Sequence, residues 1–177
     1  MQILKSLHER VQTCLLELHP DKTRIAYCKD KDRKKQYQLT EFDFLGYTFR
    51  GVFINYKNGN RGVNFIASAS KNSNKAFREK IKSLEIHRKT GCKIEMIGGV
   101  INPIVRGWIN YFCKYNPQST KYSLDCVNRR LVKWAMCKSK RFRGHRKRAE
   151  IWLSEMKKRE PNLFAHWQYR NKRVELS

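Results

Sequence analysis

At Ser70 the spacing of the apolar residues changes, and that change divides the chain into two kinds of structure. Before it, apolar side chains alternate. Phe42-Asp-Phe-Leu-Gly-Tyr-Thr-Phe49 reads as one strand, with Gly46 marking a bulge or a close approach by another chain. Val52 to Tyr56 and Val63 to Ile66 flank Lys57-Asn-Gly-Asn-Arg-Gly62, a hairpin with Asn-Gly turn chemistry. Thr23 to Tyr27 reads as a further short strand, and Leu4, Leu7, Val11, Cys14, Leu15 and Leu18 form one stripe of a helix over 2–18 that Pro20 ends. After Ser70 the steps become three and four. Ser68 or Ser70 caps a helix carrying Phe77, Ile81 and Leu84, with Gly91 at its stop. Ile94, Ile97, Ile101, Ile104, Val105, Trp108 and Phe112 make a second stripe, which Pro103 should kink near Asn102. A third helix starts near Ser119 or Thr120 and turns Leu124, Val127, Leu131 and Trp134 inward. A fourth covers Arg146 to Lys158 with Ile151, Trp152 and Met156 inward, and Phe164 and Trp167 dock the tail beyond Pro161. The expected fold is therefore α+β: an N-terminal piece, 1–69, of one helix and several strands, followed by a helical bundle, 70–177.

Charge sharpens that division. The 177 residues carry 39 Lys and Arg against 15 Asp and Glu, a formal net charge of +24. Residues 1–70 hold 12 cations and 7 acids, leaving 27 and 8 for residues 71–177. The densest stretch, Lys138 to Arg148, has seven Lys or Arg in eleven positions and no acid. A compact body this basic repels itself unless a polyanion neutralises it; nucleic acid is the first candidate, an anionic membrane surface the second and an acidic protein a distant third. No apolar stretch approaches the roughly 20 residues of a membrane span, and the N-terminus lacks a secretory signal, so a cytoplasmic protein with no membrane partner is expected.

Little in the residues suggests chemistry. Six cysteines, at 14, 28, 92, 113, 126 and 137, form no CxxC pair and read as buried small hydrophobes. Asp30 and Asp32 make an Asp-x-Asp pair, but five neighbouring cations would repel a metal. No phosphate loop, nucleophile elbow or zinc spacing occurs. Taken alone the residues describe a non-catalytic binding module with no metal and no cofactor. Its best nucleic-acid contacts are Arg106, Tyr111, Arg129, Arg130 and Lys133, then Lys138, Lys140, Arg141, Arg143, His145, Arg146, Lys147 and Arg148 in the basic run. Trp108 and Trp134 belong to the core.

The order of the motifs resembles one family. Leu15-Leu-Glu-Leu-His-Pro-Asp-Lys-Thr-Arg-Ile25 and then Phe42 to Phe49 look like the end of the palm of group II intron reverse transcriptases. Leu84 to Phe112, with Asn102-Pro-x-x-Arg-Gly-Trp-x-x-Tyr111, is similar to that family's maturase-specific domain, also called domain X or the thumb. Lys22-Thr23 and Phe44-Leu-Gly-Tyr47 are the other specific parts. The resemblance implies that Phe44, Leu45, Gly46 and Tyr47 match the primer grip. It implies that the helices grip intron RNA or an RNA–DNA template–primer duplex, assisting splicing or reverse transcription. It also implies a departure. The family's Tyr-x-Asp-Asp motif is missing, and the chain begins after the place where it would stand. Magnesium would therefore belong to an absent palm, and the chain alone would not polymerise DNA. Three readings follow: an RNA-binding maturase module, the C-terminal part of a split RNA-directed DNA polymerase that needs the missing N-terminal portion, or a decayed remnant of a mobile element.

Overall fold

Ser70 is the joint that the spacing predicts. The computed structural model describes residues 2–20, 23–27, 37–55 and 59–174, the last five by backbone alone. Lys22, Asp21, Cys28, the Asp30 and Asp32 pair and the 56–58 part of the predicted hairpin turn lie outside the described residues. The described order is α1 (Gln2–Thr13), β1 (Glu41–Phe44), β2 (Tyr47–Asn55), β3 (Arg61–Ala69), α2 (Lys71–Ser83), α3 (Ile94–Phe112), α4 (Lys121–Lys138), α5 (Arg146–Arg159) and α6 (Ala165–Val174), with short 3-10 turns at 86–88, 117–120 and 140–142. This is the expected α+β arrangement.

The three strands form one antiparallel sheet in the order β1-β2-β3. β2 and β3 pair from Tyr47↔Ala69 to Asn55↔Arg61, the hairpin expected around 57–62. β1 and β2 end on Phe44↔Tyr47, so Leu45 and Gly46 are a two-residue turn with φ of 49° and 81°. Positive φ at both positions is the hairpin geometry that follows strand twist. The single strand read over 42–49 is thus two, and Gly46 is a reversal rather than a bulge. What crowds Gly46 is this chain's own side chains rather than another chain: a Cβ there would lie 2.8 Å from Ser73 Oγ and 3.3 Å from the Phe112 ring. Thr23 to Tyr27 is not a strand, although the Tyr27 N–H donates to Leu39 O at 2.8 Å. The first helix stops at Thr13, where Leu15 turns to φ 57°, and it buries none of its residues.

The helices follow their stripes. Ser70 Oγ accepts from the Ser73 N–H at 3.1 Å, capping α2. α2 ends at Ser83, well before Gly91, because Glu85 itself takes a left-handed conformation, φ 44°, and starts a 3-10 turn. α3 runs unbroken through Pro103. Proline removes the N–H that would reach the carbonyl of Gly99, and Gly99 is exposed, so water can take that acceptor. α4 begins at Lys121 and buries Leu124, Val127, Leu131 and Trp134 as expected. In α5 the inward residues are Ala149, Leu153 and Met156. Ile151 is 60% exposed, so its expected inward place is corrected. Phe164 and Trp167 are fully buried and dock α6. Of the cysteines, 113 and 126 are buried, but 14 and 137 are exposed.

The core lies in the helical part, and the sheet reaches it only at one end. Phe77 stacks on Trp108 at 4.4 Å, Trp108 meets Phe112 at 5.4 Å, and Phe112 meets Tyr47 at 5.2 Å. This line of rings ties β2 to α2 and α3. Beyond Tyr47, the register puts Phe42, Phe44, Phe49, Phe53 and Phe65 on one face of the sheet. Of these, Phe42, Phe44 and Phe53 are exposed.

Candidate nucleic-acid interface

The basic run is folded, as its flanking tryptophans suggest. Lys138 ends α4, residues 140–142 make a 3-10 turn, Gly144 takes φ 77° and Arg146 opens α5. Arg146, Lys147 and Arg148 therefore fill the first turn of a helix that has no acid there. Cations at that end oppose the helix dipole. His145 stands at the cap position, and its ring makes no capping bond. Lys140, Arg141, Arg143, Lys147 and Arg148 are exposed.

Two members of the run have fixed places. Lys138 Nζ donates to Thr90 O and Cys92 O, both at 2.8 Å, and lies 5.4 Å from the Trp134 ring. It therefore fastens the loop before α3 while keeping its charge at the surface. Arg146 Nε reaches Glu150 at 2.8 Å, one turn along α5. Arg129 of α4 and Arg146 line one groove of about 450 Å³ between α4 and α5, together with Asp125 and Glu150. Lys138 and Lys140 meet in a second groove, with Lys93. Arg130 is half-buried and Lys133 exposed on α4.

Arg106 and Tyr111 lie apart from this surface, on α3, and neither lines those two grooves. Tyr111 is half exposed, and its hydroxyl donates to Leu45 O at 3.0 Å. Its carbonyl accepts from the Tyr47 hydroxyl. Gly46 O accepts from both the Ser70 N–H and Ser73 Oγ at 2.9 Å. The Phe44 to Tyr47 turn is thus fastened to α2 and α3, with Phe44 and Leu45 still exposed. Burial pushes the Tyr47 phenol above its ordinary range, and nearby Tyr111, Tyr115 and Cys113 add to it.

Spacing along the chain missed several neighbours. Tyr122, 64% exposed, carries the Arg129 guanidinium 4.7 Å from its ring and that of Arg78, from α2, 5.5 Å away. Asn102 of the Asn-Pro motif faces the C-terminal region: its Nδ2 donates to Leu163 O and its Oδ1 accepts from the Ala165 N–H, both at 2.9 Å. Arg129 lies two helical turns from Tyr122 on α4, but Arg78 and the partners of Asn102 come from segments tens of residues away, which no local period reveals.

These features define an α+β module whose helical part carries a dense, acid-poor cationic surface. Among the described residues no His, Cys, Asp or Glu gather in a group that could hold a metal ion, and no helix is long and apolar enough to cross a membrane. Residues 74–152, from the first turn of α2 into α5, match the family model for the maturase-specific domain of group II introns. Over that span the chain is similar to the maturase-specific domain of group II introns. Comparison with curated proteins and with solved structures gives no match.

Proposed function

We propose that this chain is an RNA-binding module that grips structured RNA of a group II intron and so assists its splicing. The observation that carries this reading is a coincidence of place. The span that matches the maturase-specific domain holds α2, α4, the basic run and the start of α5, where the positive charge concentrates. Folded RNA offers phosphates, 2′-hydroxyls and unpaired bases rather than readable groove edges. Lys140, Arg141, Arg143, Lys147 and Arg148 meet the phosphates, Arg129, Arg130 and Lys133 extend the surface along α4, and an RNA–DNA template–primer duplex would suit it equally. Titration against a group II intron RNA at several salt concentrations tests the reading. The logarithm of the binding constant should fall linearly and steeply with that of the salt concentration. A flat response, or no binding at low salt, overturns it.

A second reading draws on the N-terminal piece. The Leu45-Gly46 turn is fastened to α2 and α3 as a grip on a strand end would need, while α1 buries none of its residues and Phe42, Phe44 and Phe53 of the sheet are exposed. On this reading the chain is the C-terminal part of a split RNA-directed DNA polymerase. Mixing it with a fingers-and-palm polypeptide carrying Tyr-x-Asp-Asp, with Mg²⁺, should then give RNA-templated DNA synthesis that neither part gives alone.

A further inference from the structure

Behind the basic run lies a groove that the phosphate contacts leave unexplained. It has a volume of about 580 Å³, within the roughly 300–1,000 Å³ usual for small-ligand sites. Its walls come from three separate elements: the start of α3, the end of α4 with the following 3-10 turn, and α5. Its inner lining is aromatic. Phe142 and Trp152 meet at 5.6 Å and Trp134 and Trp152 at 6.4 Å, with Trp134 buried and Trp152 half-buried. Trp134 is fixed by its Nε1, which donates to Lys89 O at 2.9 Å.

The rim is cationic. Lys93, Lys138 and Lys140 stand against a single acid, Glu95. Lys138 is held in place by the carbonyls of Thr90 and Cys92 rather than by a carboxylate. α3 starts at this wall, and the Lys93 side chain does not cap it. The positive end of that helix therefore adds to the field of the lysines. An aromatic lining asks for a π face, and the rim asks for an anion within one residue's reach of it. On a bound RNA, an unpaired nucleotide supplies both, because its base stacks on aromatic side chains while its phosphate stays charged.

We propose that this groove takes one unpaired nucleotide of the bound RNA. The base lies against Trp152 and Phe142, and the phosphate meets Lys93 and Lys140. The proposal rests on the RNA-binding reading above and names which part of the RNA the module selects.

The test compares two RNA hairpins, identical except that one carries a single-nucleotide bulge, titrated with the full chain. The bulged hairpin should bind about tenfold more tightly. A 2-aminopurine at the bulge should be quenched as it stacks. In Trp152→Leu the ratio of the two affinities should fall to near one. Because Trp152 also packs on Phe142 and Trp134, thermal unfolding checks that variant. Lys93→Gln, an exposed change, should narrow the ratio without touching the aromatic lining. No binding of either hairpin overturns the RNA-binding reading. Equal binding of both overturns this inference alone and leaves the groove to an acidic protein segment. A bulge preference that survives both substitutions places the nucleotide elsewhere and overturns it as well.

Discussion

Gly46 has two constraints on it at once. Its φ of 81° is a conformation that side chains with a Cβ rarely adopt, and its α-carbon lies against Ser73 and Phe112. Gly46→Ala should therefore cost about 1–3 kcal/mol from backbone strain alone. Amide exchange at Tyr47 and Thr48 should quicken more than in α4 if the hairpin loosens from the bundle first. Tyr47 is the other fastening. Its phenol donates to the Tyr111 carbonyl, which only the protonated form can do. Burial, with Tyr111 and Tyr115 beside it, raises the folded-state value above the ordinary value of about 10. The unfolded chain then loses this proton first. The contribution is whole below about pH 10 and is lost as pH rises toward the raised value. Tyr47→Phe should cost about 1 kcal/mol at neutral pH and remove this part of the alkaline loss, read from unfolding midpoints between pH 8 and 11.

Single helices show where local rules are obeyed and where they are broken. α3 obeys its stripe, but Asn102 on its half-buried side holds the α5–α6 connection through Leu163 O and the Ala165 N–H. Gly98 lets that connection close in, since a Cβ would lie 3.2 Å from Leu163 O. Asn102→Ala leaves both backbone groups without their partner and should cost about 1–3 kcal/mol, with faster amide exchange over 163–169. α5 breaks the dipole rule, with Arg146, Lys147 and Arg148 in its first turn. Lys147→Glu should stabilise the protein by about 0.3–1 kcal/mol in thermal unfolding and weaken RNA binding at the same time. Improvement of both, or loss of both, would count against a binding role for that turn. These cases mark what the sequence made legible. The Ser70 cap, the α3 and α4 stripes and the docking of Phe164 and Trp167 were readable because their signals are local. The Leu45-Gly46 reversal was not, because a leucine with positive φ is a poor turn signal, held here by contacts with α2 and α3. Ile151 was misplaced because Ile151, Trp152 and Leu153 are consecutive apolar residues in α5, so the spacing alone does not fix which of them faces inward. The nucleic-acid candidates were legible as a charge run, but Lys93, Phe142 and Trp152 share a groove only after three elements pack together.

Across the chain, charge and stability pull in opposite directions. A body with +24 charges is destabilised by its own field, and the cost is concentrated where α4, the 3-10 turn and α5 meet. The ion pairs Lys75–Glu79, Arg88–Glu85 and Arg146–Glu150 are exposed and offset little of it. Replacing Arg143, Arg146, Lys147 and Arg148 together by Gln lowers that repulsion and should leave the unfolding midpoint unchanged or higher. If these side chains meet phosphates, each contributes close to one unit to the slope of the logarithm of the binding constant against that of salt. The quadruple variant should then bind unrelated structured RNAs more weakly at low salt, by similar factors, with a slope smaller by up to about four. Because phosphate contacts carry no sequence information, the ranking of RNAs should persist. A variant that keeps the parent's slope would move the phosphate-binding surface elsewhere, with Arg106 on α3 and the Arg78–Tyr122–Arg129 cluster as the next to replace.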